Sequence, residues 1–384
     1  MKIASLAAFP AKIGDRNQLL IRVETACGVV GWGESGLTTR EIAVARAVDD
    51  LGNWLEGRDP LAPGQVWEVF FRRPGTARDR VGMALLSAID IALHDIAGKA
   101  LDLPVHKLLG GALRHRVTTF GCVRADDTDR LLALARGAVR EGWTCLRLGW
   151  RTDDPDVFDP ADAIARWPGI FAEARRSLGH RVVLGSDLHH RFSVAEAAAF
   201  MARCAEGTLD FLEEPIRDES PTAYAALRRL SRTPLAIGEE FTSRWQFQPY
   251  IDGGLLDYAR IDVCNVGGLT EAMRIGAWCA THGVDIMPHN PLGPICTAAS
   301  VHVAAALPNH SYLECWETPG DDNADRQISP IFPKRLELEG AVFPVPDAPG
   351  LGIEVDEIAL SEAPPFDYAE APHLRSSDGA FTNW

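Results

Sequence analysis

Six acidic or histidine residues occur through the middle of this chain, each at the end of a short apolar run. The gaps between successive members are 26, 26, 23, 27 and 25 residues. Each gap is about the length of one strand, one helix and two loops. The six are Asp187 after VVLGS, Glu213 after LDFL, Glu239 after PLAIG, Asp262 after YARI, His289 after DIMP and Glu314 after SYL.

Three of these carboxylates predict a site for a hard divalent cation. Asp187, Glu213 and Glu239 follow three successive runs and offer only oxygen ligands. A carboxylate at the partly buried end of an apolar strand needs a cation or protons beside it. We therefore predict that the chain is a metal-dependent enzyme and that these three residues bind the metal.

Two histidines are placed for proton transfer. His289 comes one unit after Asp262, so the carboxylate can hold one ring nitrogen and leave the other free as a base. His189 lies two residues beyond Asp187, on the same face of an extended segment and on the opposite side of the predicted site. This arrangement suits removal of a proton on one side and its delivery on the other. We expect the other nine histidines, including His190, to be structural.

The repeat predicts a (β/α) barrel with its reactive groups on the C-terminal rim. Two further strands, VTTFGC at 117–122 and TCLRLGW at 144–150, precede the six that carry the reactive residues. They bring the total to the eight that a closed parallel barrel needs. Amphipathic stretches lie between the strands, and several end in a glycine typical of a helix C-terminus.

The flanking segments have a different pattern from the barrel. LLIRVET and VVGWGE predict an antiparallel hairpin, and two helical patterns follow it. We predict an α/β fold: a TIM-type barrel with an α+β capping domain. Residues 1–115 would form the cap, 116–320 the barrel, and 321–384 a C-terminal segment that returns to the cap.

Composition excludes several classes of protein. The chain has 384 residues, of which 46% are hydrophobic and 24% charged, as in a soluble globular protein. Its net charge of −15 argues against nucleic-acid binding, although a bound metal would still permit an anionic substrate. No segment matches a signal peptide or a membrane span, and the eight cysteines are scattered. We expect a cytoplasmic homo-oligomer with no membrane or nucleic-acid partner and no nucleotide cofactor.

The motifs resemble the mandelate racemase subgroup of the enolase superfamily, and most closely its acid-sugar dehydratases of the galactonate dehydratase type. The resemblance covers nearly the whole chain. It is carried by GVVGWGE, GSDLHHR, FLEEP, IGEE, YARIDVCNVGGLTE and PHNPLGP, in that order. Two segments, DLHHR and the closing DGAFTNW, are also similar to mannonate dehydratases.

The resemblance implies a function and residue roles. It implies Mg²⁺ as cofactor and an aldonate such as D-galactonate as substrate, which would lose its C2 proton and C3 hydroxyl to give a 2-keto-3-deoxy acid. His289 with Asp262 would take the proton, His189 would act as general acid, and Glu314 would hydrogen-bond the substrate carboxylate.

Substrate-binding residues are less well defined by the sequence. Arg147-Leu148-Gly149 stands where racemases and cycloisomerases of the superfamily commonly have Lys-x-Lys. Cap loops at 13–18 and 72–80 are expected to close over the site. The candidates for substrate contacts are Arg147, Arg16 and Asn17.

Three other functions remain open at this stage. A racemase, epimerase or cycloisomerase that moves a proton at one carbon would use the same metal and the same two histidines. A barrel metallohydrolase would normally carry His-x-His on the first strand, which VTTFGC lacks. A binding protein that retained the fold would show no turnover with Mg²⁺.

Overall fold

The first part of the chain forms an antiparallel sheet packed on helices. The computed structural model describes residues 1–14, 16–73, 78–150, 156–315, 329–364, 366 and 374–383. The sheet has the order β1-β2-β3, and β2 and β3 are the antiparallel hairpin that the sequence predicts. Its strands are β1 (Ile3–Ile13), β2 (Arg16–Thr25) and β3 (Val30–Ser35), and the helices are α1 (Glu41–Leu55), α2 (Pro63–Arg72), α3 (Arg80–Leu101) and α4 (Val105–Leu108).

Helix α3 is the centre of this cap. It packs against β3 at very short range, which two glycines permit: a Cβ at Gly33 would lie 1.8 Å from the Ala88 carbonyl oxygen, and one at Gly31 would lie 2.1 Å from that of Ala92. Among the described residues, α3 is the one helix long and apolar enough to span a membrane, but 94% of its apolar window is buried inside the protein. Its apolar character is therefore explained by its place in the core.

Eight parallel strands follow, and they close into a barrel. Along the sheet the order is β10-β9-β8-β7-β6-β5-β4-β11. Backbone hydrogen bonds join the two ends: Ile286 N to Asn309 O at 2.7 Å, Ser311 N to Ile286 O at 3.0 Å and Glu314 N to Pro288 O at 3.2 Å. The strands are β4 (Arg116–Ala125), β5 (Cys145–Trp150), β6 (Val183–Asp187), β7 (Phe211–Glu213), β8 (Leu235–Ile237), β9 (Tyr258–Ala259), β10 (Asp285–Ile286) and β11 (Leu313–Cys315).

A helix connects each strand to the next on the outside of the barrel. Several begin with a side-chain cap; for example, Ser193 and Glu196 form a reciprocal capping box at one of them. The helices are α5 (Thr128–Arg140), α6 (Pro160–Leu178), α7 (Val194–Arg203), α8 (Pro221–Leu230), α9 (Arg244–Asp252), α10 (Gly268–Thr281) and α11 (Pro294–Ala306). The predicted barrel topology is thus confirmed.

The C-terminal segment contacts both the barrel and the cap. Strand β12 (Val342–Pro344) pairs antiparallel with β4, an addition that the sequence did not predict. Helix α12 (Glu357–Ser361) places Glu357 2.9 Å from Arg22 of the cap sheet. The Lys12 amide donates to the Pro364 carbonyl at 3.3 Å. The segment therefore ties the cap to the barrel as well as returning to it.

Candidate active site at the barrel rim

The six residues that the sequence singles out converge at the C-terminal end of the barrel strands. Asp187 and Glu213 are the last residues of β6 and β7, and Glu314 lies within β11. Glu239, Asp262 and His289 follow β8, β9 and β10 by two or three residues. Parallel strands end at one edge of a barrel, which is why regular spacing in sequence becomes one cluster in space.

Asp187, Glu213 and Glu239 form a carboxylate cluster, with one ligand oxygen of each within 4.8 Å of the others. Among the described residues, Glu239 Oε2 is buried without a hydrogen-bond partner. Burial raises the pKa of Glu239 well above its usual range, and the charges of Asp187 and Glu213 add to this effect. Crowded buried carboxylates with an unpartnered oxygen fit a hard divalent cation.

His289 and Asp262 form the predicted dyad. His289 Nδ1 lies 2.8 Å from Asp262 Oδ2. Asp262 is fully buried and is fixed by the Cys264 amide at 2.7 Å and by Asn265 Nδ2 at 3.0 Å. With Nδ1 donating to the carboxylate, Nε2 keeps its lone pair, and it lies 3.8 Å from Glu239 Oε2. A base is therefore held beside the carboxylate cluster.

His189 lies on the other side of the site. In the ring of eight strands, β6 and β10 are four places apart, so the segments after them face each other. His189 Nε2 lies 2.9 Å from Asp187 Oδ2, and the His189 backbone has a positive φ of 45°. Burial lowers the pKa of His189, and the charge of Asp187 opposes this only in part.

Two buried arginines form ion pairs with the carboxylates of the site. Arg147 contacts both Glu213 oxygens at 3.0 Å, Glu314 Oε1 at 2.8 Å and Asp187 Oδ2 at 3.3 Å. Arg260, which the sequence analysis missed, is fully buried and contacts Glu213 Oε1 at 2.6 Å and Glu314 Oε2 at 2.5 Å. Arg147 was predicted as a substrate ligand, but its guanidinium is already engaged with these carboxylates.

Glu314 lies between the two buried arginines, with Oε1 2.8 Å from Arg147 and Oε2 2.5 Å from Arg260. Although burial opposes it, the charges of Arg147 and Arg260 hold the pKa of Glu314 well below its usual range. A hydrogen bond from Glu314 to a substrate carboxylate would require a proton on it. The geometry instead favours Glu314 as the anchor that fixes both arginines.

A cavity of about 790 Å³ opens above the cluster, lined by His189, His289, Glu239 and Glu314. Five arginines and four acidic residues line it, and two of the arginines, Arg80 and Arg147, are paired with carboxylates. The five arginines are Arg16, Arg40, Arg80, Arg124 and Arg147.

Only part of the predicted substrate-binding set lines this cavity. Arg16 lines it and donates to the Pro291 carbonyl, on the loop that follows His289. Asn17 pairs with Lys12 across the β1–β2 hairpin and is not among the cavity-lining residues of the described chain. Of the loop predicted at 72–80, Arg80 and Asp79 line the cavity, whereas residues 74–77 lie outside the described residues.

Two family models match the chain. The mandelate racemase / muconate lactonizing enzyme N-terminal domain matches residues 10–110, and the enolase C-terminal domain-like family matches residues 130–359. A D-galactonate dehydratase of Verminephrobacter eiseniae is 31% identical, over 100% of both chains.

Solved structures agree with these matches. An enolase from Pantoea ananatis with bound D-gluconate and Mg superposes with a TM-score of 0.91 at 28% identity, covering 99% of each chain. An enolase from Agrobacterium radiobacter with bound Na and L-malate gives a TM-score of 0.88 at 25% identity over 100% of each chain.

Proposed function

Because the chain belongs to the mandelate racemase / muconate lactonizing enzyme family of the enolase superfamily, we propose that it is a Mg²⁺-dependent dehydratase of a sugar acid. The substrate would be an aldonate such as D-galactonate, and the product a 2-keto-3-deoxy acid. The relatives named as D-galactonate dehydratases support this substrate class, as does the relative with bound D-gluconate and Mg. The protein is thus a lyase.

One observation carries the proposal. The His289–Asp262 dyad and His189 lie on opposite sides of the three-carboxylate cluster, inside a cavity lined by arginines. Asp187, Glu213 and Glu239 would hold Mg²⁺. When bound, Mg²⁺ supplies Lewis-acid stabilisation of the negative charge that develops beside the substrate carboxylate.

His289 would remove the C2 proton. Its Nδ1 proton is held by Asp262, so Nε2 accepts the substrate proton and Asp262 stabilises the resulting imidazolium. His289 Nε2 lies 3.8 Å from Glu239 Oε2 and 4.0 Å from Glu314 Oε2, so the accepting nitrogen faces the carboxylate cluster. General-base participation of this kind is worth about 10²- to 10⁴-fold in rate.

His189 would deliver a proton to the departing C3 hydroxyl. Its lowered pKa opposes the protonated form that a general acid needs. An anionic substrate bound beside the ring counteracts this effect, because a nearby negative charge favours the imidazolium. Water loss would leave an enol, which tautomerises to the keto acid.

The test follows exchange of the C2 hydrogen with deuterium oxide in two variants. His189→Asn should lose dehydration but still exchange the C2 hydrogen of D-galactonate or D-gluconate, because exchange needs only the first proton transfer. His289→Asn should lose both. Exchange that persisted in His289→Asn and vanished in His189→Asn would reverse the two roles.

The same experiment addresses the alternative reaction. Two histidines on opposite sides of one site are also the arrangement for a racemase or epimerase, or for a cycloisomerase. Such an enzyme would invert C2, or close a ring, without forming a 2-keto-3-deoxy acid. Wild-type protein that exchanged and inverted C2 with no keto acid product would replace the dehydratase proposal.

A further inference from the structure

A second cluster of metal-ligating side chains lies on the segments that follow β6, β7 and β8. His190, Asp218 and Glu240 each place one ligand atom within 4.8 Å of the others. Each also has one buried atom without a hydrogen-bond partner among the described residues: His190 Nε2, Asp218 Oδ2 and Glu240 Oε1. Unpartnered buried polar atoms are costly, and three of them in one cluster indicate a missing ligand.

The histidine has the tautomer that a metal ligand requires. His190 is 5% exposed, and its Nδ1 lies 3.2 Å from the Ile216 carbonyl oxygen and 3.5 Å from Glu214 Oε2. A carbonyl accepts only from N–H, so this contact places a proton on Nδ1, and in the neutral ring the lone pair is then on Nε2. Metal-ligating histidines in proteins usually donate their other ring nitrogen to a carbonyl or carboxylate in this way.

Acidic side chains surround the ring. Glu214 Oε2 lies 3.5 Å from its Nδ1, and one oxygen each of Asp218 and Glu240 lies within 4.8 Å of its ligand nitrogen. Buried carboxylates need a cation or protons beside them.

The backbone supports the same conclusion. His190 has a φ of 59°, a left-handed conformation that is unusual for any residue other than glycine. Glu214, the neighbour of the ring, has a φ of 36°. Such conformations persist where surrounding contacts compensate for them, and they occur often at ligand sites.

We propose that His190, Asp218 and Glu240 form a second divalent-cation site, distinct from the three-carboxylate cluster. One imidazole nitrogen with two carboxylate oxygens suits a borderline transition metal such as Zn²⁺ better than Mg²⁺. The remaining coordination positions would be filled by water.

The two sites would share the ends of the same strands. His190 follows Asp187 by three residues and Glu240 follows Glu239 directly, so the same two strand ends supply a residue to each cluster. The Glu240 side chain is 22% exposed, and its other oxygen accepts from Arg80 at 3.0 Å. A cation there would link the segments after β6, β7 and β8 and hold the first cluster in position.

The test uses Co²⁺ as a spectroscopic probe on the full-length protein. Wild type should bind two Co²⁺ per chain. The Co²⁺ at the second site has a nitrogen ligand, which its visible absorption reports. Glu239→Gln should still bind this ion. His190→Asn and Asp218→Asn should bind it at least about ten-fold more weakly. His282→Asn is the matched control, because His282 pairs with Asp252 at 3.5 Å on the surface.

A measurement on the unsubstituted protein covers the case in which a variant does not fold. In Mg²⁺-saturated protein labelled with ¹⁵N-histidine, Zn²⁺ should shift one Nε2 resonance while the Nδ1 of the same ring stays protonated. No shift in any histidine would overturn the proposal. Co²⁺ binding that is equally tight in wild type and His190→Asn would do the same. Neither result depends on turnover, so the proposed dehydratase activity would be unaffected.

Discussion

At the scale of single residues, the site is held together by charge balance in a dry interior. Arg260 is fully buried and bonds to Glu213, to Glu314 and to the carbonyls of Met287 at 2.8 Å and Pro288 at 3.1 Å. It therefore joins a proposed metal ligand to the loop that carries His289. Removing one partner from a buried ion pair is much more costly than removing an exposed one.

Arg260→Met should destabilise the protein by about 3–5 kcal/mol, because it leaves two buried carboxylates with fewer donors. Urea unfolding at fixed Mg²⁺ measures the difference. Arg166→Met is the control: Arg166 pairs with Asp162 at 3.3 Å with both side chains over 40% exposed, and its loss should cost less than about 1 kcal/mol. Equal losses in the two variants would contradict the proposed role of Arg260.

Metal removal should reverse the effect of Glu239→Gln on the stability of the folded protein. In protein treated with EDTA, Glu239→Gln should be more stable than wild type, because it removes a charge that burial and its neighbours oppose. With Mg²⁺ added, wild type should gain stability and the variant should gain much less. Thermal unfolding in both conditions measures this, with exposed Glu206→Gln as control. A wild-type protein whose unfolding temperature is the same with EDTA and with Mg²⁺ would exclude Glu239 as a metal ligand.

At the scale of elements, the cap completes a helix of the barrel. The residue at the N-cap of helix α11 is Gly293, which has no side chain to cap the helix. Glu34 of β3 accepts instead from the Gly293 amide at 2.8 Å and the Cys296 amide at 3.0 Å. Burial raises the pKa of Glu34 to about 7, and these two amides oppose the shift. The loop after His289 is therefore positioned partly by the cap.

The contact between β3 and α3 tolerates no added atom. Gly33→Ala should cost at least about 2 kcal/mol, because its Cβ would overlap the Ala88 backbone. Gly52→Ala, in α1, has nothing within 4 Å of its new Cβ and should stabilise the protein by up to about 1 kcal/mol. Chemical denaturation of the two variants measures both effects. A neutral Gly33→Ala would show that β3 and α3 can separate without cost.

At the scale of the whole molecule, two neutral histidines join distant parts of the chain. His302 of α11 accepts from the His106 amide at 3.0 Å and contacts the Leu351 carbonyl at 3.3 Å. His310 contacts the Thr118 carbonyl at 3.2 Å. Burial lowers the pKa of His302 to about 3 and that of His310 to about 4.

These shifts predict acid sensitivity. Between pH 6.5 and about 4 the histidines of the unfolded chain bind protons that His302 and His310 in the folded protein do not. The contribution of these two neutral histidines to the free energy of unfolding is therefore complete above pH 6.5 and is lost as the pH falls. Each histidine contributes a slope of up to about 1.4 kcal/mol per pH unit. His302→Asn should reduce this slope in urea unfolding, whereas exposed His282→Asn should not. An unchanged slope in His302→Asn would count against a neutral buried ring.

The sequence alone determined the barrel and the positions of its reactive groups. Strands of a parallel barrel all run the same way, so residues that follow successive apolar runs must reach one rim. That rule placed Asp187, Glu213 and Glu239 in one cluster and His289 beside Asp262, and the structure brings both groups together. Regular chain topology converts sequence spacing directly into proximity.

Contacts between distant segments were decided only by the tertiary structure. Arg260 lies two residues before Asp262, but no sequence pattern predicts its hydrogen bonds to Glu213 and Glu314 on other strands. The capping of α11 by Glu34 joins residues more than 250 positions apart, and the cluster around His190 is built from three separate loops. Side-chain direction and burial fix these contacts, and both depend on how the closed barrel packs against its cap.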